Sequence, residues 1–230
     1  MSFIVSDNNF YIPLMLPIPE DTSVISTAEM PHHTLLTLLK AKTGSAHQAI
    51  EQALALTDPG LTLIRYLHRI KQFYSFYKPL ESRLLDLSSE ISPWLDIRNR
   101  QKTALLEADL QSMGQAIENI SQPMTMCTAL PQLSSPAECL GCLYVLEGAT
   151  LGGVVISRHI RDTLGVTPET GGLFFHGYGQ RTGEMWREFR AAMSAFDAQT
   201  HQQEQVILAA RATFDTLRRW CTKSSTYERS

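Results

Sequence analysis

Leu143-Tyr-Val-Leu-Glu-Gly-Ala-Thr-Leu-Gly-Gly-Val-Val-Ile156 is the stretch on which the fold turns. It reads as a buried helix except for Gly148, Gly152 and Gly153. A glycine inside a helix costs about 1 kcal/mol relative to alanine, so three of them so close together need a reason. A kink is one, since glycine absorbs a sharp bend without a side-chain clash. A large flat body touching the backbone is another. Gly148 and Gly152 are four residues apart and share a helix face, which would leave a groove free of side chains.

Upstream, Ser135-Pro-Ala-Glu138 is a helix start: Ser at the N-cap, Pro at the first position and Glu at the third, the pattern of a capping box. The glycine helix therefore runs from Pro136 to about Leu164. Before it, helical periodicity places one helix from Leu35 through His47 to Leu56, stopped by Thr57-Asp-Pro-Gly60. A second carries Leu63 to Tyr77, kinked or broken by Pro79 before Leu80 to Leu87 continues it. The aromatic run Phe73-Tyr-Ser-Phe-Tyr77 reads as core. Asp96 can cap a third helix that holds Ile97, Leu105, Leu106 and Leu110 and ends near Gly114. Residues 165–183 read as a glycine-rich loop. Two amphipathic helices follow, one with Met185, Trp186, Phe189 and Met193, the other with Val206, Ala210, Phe214 and Trp220. Strand alternation is absent, so the fold is all-α, a single-domain irregular helical bundle of about six to eight helices. Residues 1–31 read as an extended or disordered arm, 32–222 as the helical domain and 223–230 as a tail.

The chain's 230 residues, 43% hydrophobic, suffice for one substantial core. A formal net charge of −3 gives no electrostatic case for nucleic acid or a membrane surface. No apolar run reads as the roughly 20-residue span of a membrane helix, and the N-terminus lacks the basic region of a signal peptide. The expectation is a cytoplasmic protein. Cys139-Leu-Gly-Cys142 has redox or zinc spacing, but no second Cys/His pair follows it, and both cysteines read as small core residues.

The first helix carries a constellation with chemistry in it. Lys40 lies seven residues before His47, two turns away on nearly the same face and roughly 10 Å along the axis. Glu51 follows His47 at i+4. A carboxylate beside one ring nitrogen fixes the tautomer and makes the other nitrogen a better metal ligand. A lysine at that offset can pair with an anionic edge of the same ligand. Alone, each reads as an ordinary residue of an amphipathic helix. Together with a bare helix surface elsewhere, they suggest a flat ring held between an axial nitrogen and backbone.

Ala46-His-Gln-Ala-Ile-Glu51 with Tyr144-Val-Leu-Glu-Gly-Ala-Thr-Leu-Gly-Gly153 resembles the heme oxygenases, most closely the bacterial, biliverdin-producing branch associated with bacteriophytochromes. The resemblance covers roughly Leu35 to Trp220 in element order. It implies that His47 is the proximal iron ligand, assisted by Glu51, that Lys40 pairs with a heme propionate, and that the glycine helix is the distal helix. It also implies propionate contacts from Arg187 and Arg190, in Met185-Trp-Arg-Glu-Phe-Arg190. Tyr144 shares the distal helix, and both core packing and a pocket role stay open for it. The sequence departs from the family at one place: Ala149 and Thr150 stand where eukaryotic-type members have an aspartate first. Proton delivery then falls to ordered water at backbone carbonyls or to the Thr150 hydroxyl.

The implied reaction is oxidative opening of heme to biliverdin with release of CO and ferrous iron, heme being both substrate and cofactor. Gly148, Gly152 and Gly153 would orient the ring through close packing. No flavin or nicotinamide fingerprint is found, and Gly177-Tyr-Gly179 lacks the strand-to-helix context of one. An external electron donor, a reductase or ferredoxin, is implied, and the branch suggests a bacteriophytochrome as recipient of the bilin. A non-enzymatic heme carrier or sensor on the same scaffold would keep His47 and Lys40. A di-iron carboxylate oxygenase would need Glu-x-x-His on each of two helices, which this chain does not have.

Overall fold

The computed structural model describes residues 34–116 and 124–223. The arm assigned to residues 1–31 and nearly all of the tail assigned to 223–230 lie outside them. Eight α-helical segments are present among the described residues and no strand: α1 (Leu35–Leu54), α2 (Leu63–Asp86), the single turn α3 (Ser88–Ile91), α4 (Thr103–Ala116), α5 (Pro136–Leu164), the single turn α6 (Leu173–His176), α7 (Thr182–Thr200) and α8 (Gln203–Lys223). The all-α bundle expected from periodicity is the fold observed. α8 is its hub, packing extensively on both α5 and α1.

Local signals explain most helix ends. Thr34 caps α1 through its hydroxyl, which accepts the Thr37 N–H. The helix stops at Ala55, which turns left-handed (φ 48°), before the Thr57–Gly60 turn expected to end it. Ser135 caps α5 and accepts the Glu138 N–H, but Glu138 reaches back to the N–H and hydroxyl of Ser134, one residue earlier than a capping box predicts. Gly165, at φ 68°, closes α5 in the left-handed conformation that glycine favours.

Three expectations need correction. Pro79 does not break α2, which runs unbroken from Leu63 to Asp86. A proline leaves the carbonyl four residues earlier without its helical partner; here that carbonyl, on Ser75, accepts the Cys127 N–H at 2.9 Å instead. Asp96 does accept the Arg98 N–H, but it opens only a 3-10 turn, Arg98–Arg100. α4 begins at Thr103 and is capped from another helix: Glu81 of α2 accepts the N–H groups of Lys102 and Thr103 at 2.7 and 3.0 Å. Residues 165–183 are not simply loop. They hold the 3-10 turns Pro168–Thr170 and Gly179–Arg181 and the turn α6.

α5 is the central helix. It is long and apolar enough to cross a membrane, contrary to the sequence reading, but 78% of its most apolar window is buried inside the bundle. Its apolarity reflects burial against α3, α6, α7 and α8. Gly141 lets α5 approach α8: a Cβ there would collide with the Val206 carbonyl oxygen and stand 2.7 Å from the Ala209 methyl. Cys139 and Cys142 are fully buried, and burial pushes both thiols up to about 12, as befits unreactive core residues.

Candidate active site: an apolar slot between His47 and the glycine helix

α1 and α5 both lean on α8, and an apolar slot opens between them. α1 contributes His47, Ile50 and Leu54 to its walls; α5 contributes Val145, Gly148 and Ala149. Phe73 and Tyr77 come from α2, Phe174 and Phe175 from α6, and Phe214 and Leu217 from α8. A mainly apolar lining with few polar groups is typical of small-molecule sites.

Among the described residues, His47 is the one imidazole on these walls. Its Nδ1 lies 3.6 Å from a carboxylate oxygen of Glu51, one turn on, and both side chains are about one-sixth exposed, 17% and 16%. Its ring stands edge-on to Phe214, with centroids 5.7 Å apart. Burial lowers the His47 pKa below its usual 6.5, and the Glu51 charge only partly opposes this. The imidazole is therefore neutral near pH 7, the form able to ligate a metal. With Nδ1 turned to Glu51, Nε2 is the nitrogen available to a guest.

The sequence candidates separate in three dimensions. His47, Gly148 and, through His47, Glu51 belong to the slot. Gly152 and Gly153 are buried one turn further along α5 and do not line it. Gly153 has a packing reason: a Cβ there would collide with the Phe175 carbonyl oxygen. The Thr150 hydroxyl donates to the Glu147 carbonyl at 2.7 Å, and Thr150 faces Gly177 rather than the slot. Tyr144 is buried between α1, α5 and α7, bonded to Thr43 and tilted against Trp186 with centroids 6.4 Å apart. Lys40 and Arg187 are exposed and Arg190 half-buried; none of the three lines the slot. α5 is helical throughout Pro136–Leu164, so the glycines do not interrupt it.

Several wall residues escaped the sequence reading. Phe73 and Tyr77 are core residues, as expected, and also line the slot. Burial holds the Tyr77 phenol well above its usual pKa, so it stays protonated. Phe174 and Phe175 arrive on α6, whose N-terminal N–H groups, of Leu173 and Phe174, are held by the Asp109 carboxylate at 2.7 and 2.8 Å. Burial raises Asp109 to about 6, against the opposing effect of those two bonds. Behind the slot, Glu147 is 1% exposed and engaged by Arg100, Lys102 and Tyr178. The one signal for this cluster in the sequence is Glu147 itself, the sole charge in Leu143–Ile156, since a fully buried carboxylate requires partners.

An apolar lining with an imidazole nitrogen on one helix and a side-chain-free position on the other suits a mostly apolar guest that carries a metal. The heme oxygenase family profile matches residues 33–223. The chain is 27% identical over 167 residues to a heme oxygenase of Xanthomonas campestris pv. campestris (strain 8004), covering 73% of this chain and 91% of that one. Its fold is similar to heme oxygenase from Neisseria meningitidis, solved with NO and CO bound (TM-score 0.70, 20% identity, 83% of this chain and 91% of that one). It is also similar to heme oxygenase from Leptospira interrogans (TM-score 0.67, 17% identity, 83% and 99%). This chain belongs to the heme oxygenase family, the enzymes that degrade heme.

Proposed function

We propose that this enzyme opens heme oxidatively to biliverdin, releasing CO and ferrous iron, with dioxygen as co-substrate and electrons from a separate reductase or ferredoxin. The observation that supports this reading best is the shared slot: the neutral, carboxylate-oriented His47 and the bare backbone at Gly148 wall the same apolar space. Bound heme supplies both the oxygen-activating metal and the carbon skeleton that is cleaved.

The chain's own residues bind, orient and exclude water. His47 ligates through Nε2 while Glu51 fixes its tautomer and ring plane. A neutral imidazole gives less push toward O–O cleavage than a thiolate would. Phe73, Phe174, Phe175 and Phe214 keep the slot dry. Gly148 and Ala149 let the helix backbone come close, so selectivity among ring edges comes from packing and orientation. Lys40, Arg187 and Arg190, which lie outside the slot walls, would pair with the propionates. With the Thr150 hydroxyl committed to the Glu147 carbonyl, protons arrive through water ordered against α5, with the Tyr77 phenol on the same walls. We place a bacteriophytochrome downstream of the bilin, on the likeness of the glycine-helix motif to that branch.

The test is a hemin titration followed by addition of reductant in air. Binding near 1:1 with an imidazole-ligated spectrum, then loss of the Soret band with appearance of a bilin, is expected. His47→Ala should lose the axial signature. Reduction without bleaching, or an unchanged axial spectrum in His47→Ala, would overturn the reading.

A further inference from the structure

Gly177-Tyr178-Gly179, which joins two short helical turns, is an unusual turn. Gly177 adopts φ 58° with ψ −122°, a conformation open essentially to glycine alone, and Gly179 adopts φ 57°. Between them Tyr178 is driven onto α5. Its hydroxyl donates to Oε1 of Glu147 at 2.7 Å and accepts from the Lys102 ammonium at 3.0 Å. That ammonium also lies 5.1 Å from the centre of the Tyr178 ring.

Glu147 is the buried centre of this cluster. Arg100 donates to its Oε2 at 2.6 Å and Lys102 to its Oε1 at 2.7 Å. Arg100 continues to Glu188 of α7 at 2.9 Å. Two cations thus face two carboxylates, and the cluster ties α5 to α7, to the segment before α4 and to the Gly177–Gly179 turn. The segment 173–179 meets α5 at two further points. The Phe175 carbonyl packs on Gly153, and Gly177 packs near Thr150. Glu147, Thr150 and Gly153 recur every third residue, so the segment runs along one side of α5. Gly148 is the next residue after Glu147, turned about 100° around the helix, and it lines the slot.

We propose that Tyr178 is a positioning residue for heme cleavage: the Gly-Tyr-Gly turn clasps Glu147 from behind and fixes the roll of α5, and thereby where Gly148 meets the substrate. The proposal rests on the reading that the Gly148 face packs on heme. The lever is short and direct. With Cα atoms about 2.3 Å from the helix axis, a roll of about 25° moves Gly148 by about 1 Å. A displacement of that size can cost on the order of a hundredfold in rate. The clasp also coordinates two walls, since the segment that grips α5 carries Phe174 and Phe175. Burial and the adjacent Glu147 raise the Tyr178 pKa far above the usual phenol value, so the clasp keeps its donor proton.

Tyr178→Phe removes one hydroxyl and leaves both ion pairs in place. Gly177→Ala disturbs the turn without touching a polar group. In the full chain without ligand, hydrogen–deuterium exchange of the peptide spanning residues 147–153 should rise in both variants, while α8 is unchanged. With hemin, affinity should stay within about threefold while turnover falls on the order of tenfold or more. The ratio of bilin isomers and the acid–alkaline midpoint of the ferric complex should both shift. A lowered melting temperature with wild-type exchange at 147–153, isomer ratio and midpoint would overturn the proposal, because plain structural glue predicts that result. If the wild type itself neither binds nor cleaves hemin, the functional reading fails, and the exchange experiment still decides whether the clasp holds α5.

Discussion

Replacing Gly153 by alanine separates a packing glycine from a substrate-facing one. A Cβ at this position runs into the Phe175 carbonyl oxygen. That atom is backbone, so no rotamer change relieves the contact, and the α6 segment must retreat. Overpacking of this kind costs about 1–3 kcal/mol, against which alanine's better helix propensity returns about 1 kcal/mol. The net loss is about 0–2 kcal/mol, and thermal unfolding should fall by up to roughly 8 °C at 2–4 °C per kcal/mol for a domain of this size. Because the same segment carries Phe174 and Phe175 into the slot, hemin affinity should weaken as well. Gly44→Ala is the control. It sits inside α1 with nothing within 4 Å of its new methyl, so it should stabilise by about 1 kcal/mol. Differential scanning calorimetry and a hemin titration on both variants give the comparison. A Gly153→Ala protein that melts above the wild-type temperature by about as much as Gly44→Ala does, with unchanged hemin affinity, would refute the close approach of α6 to α5.

Three other expectations follow from the site and its supports. Hemin affinity should drop as pH falls below about 6.5, because a proton competes for the imidazole; the depressed His47 pKa places the steepest loss on the acid side of that value, and an affinity independent of pH between 7.5 and 5 would count against His47 as ligand. Glu81→Ala should destabilise by about 2–4 kcal/mol, read by denaturant titration, because it leaves the buried N–H of Lys102 and its neighbour Thr103 without their shared acceptor. Asp109 is raised in the fold from 3.8 to about 6, so the folded state takes up its proton before the unfolded chain does, and its contribution to stability grows as pH falls from 7 toward 4. The stability gap between wild type and Asp109→Asn should therefore widen in favour of wild type over that range, and a gap that narrows would contradict the burial assigned to Asp109.

Much of the helical frame was legible because its signals are local. The start of α5 at Ser135-Pro136 and its end at Gly165 depend on hydroxyl, proline and glycine chemistry within a few residues. The α1 stripe and the His47–Glu51 pair need only helical geometry to be read. Where the partner is remote, the reading failed. Pro79 looked like a breaker because nothing near it in sequence offers the Ser75 carbonyl a donor; that donor is Cys127. α4 was started at Asp96 because its cap, Glu81, comes from another helix.

The candidate site divides along the same line. The amino-acid sequence by itself determined that this is an all-α protein of the heme oxygenase family, with a histidine–carboxylate turn on one helix and glycines on another, since residue type and spacing within single helices carry that information. Tertiary structure alone decided which glycine faces the slot and which lies under a carbonyl. It also decided which aromatics become walls and which charges neutralise Glu147. Those outcomes depend on contacts between residues some 20 to more than 100 positions apart, and no periodicity in a chain encodes distances it has not yet folded to create.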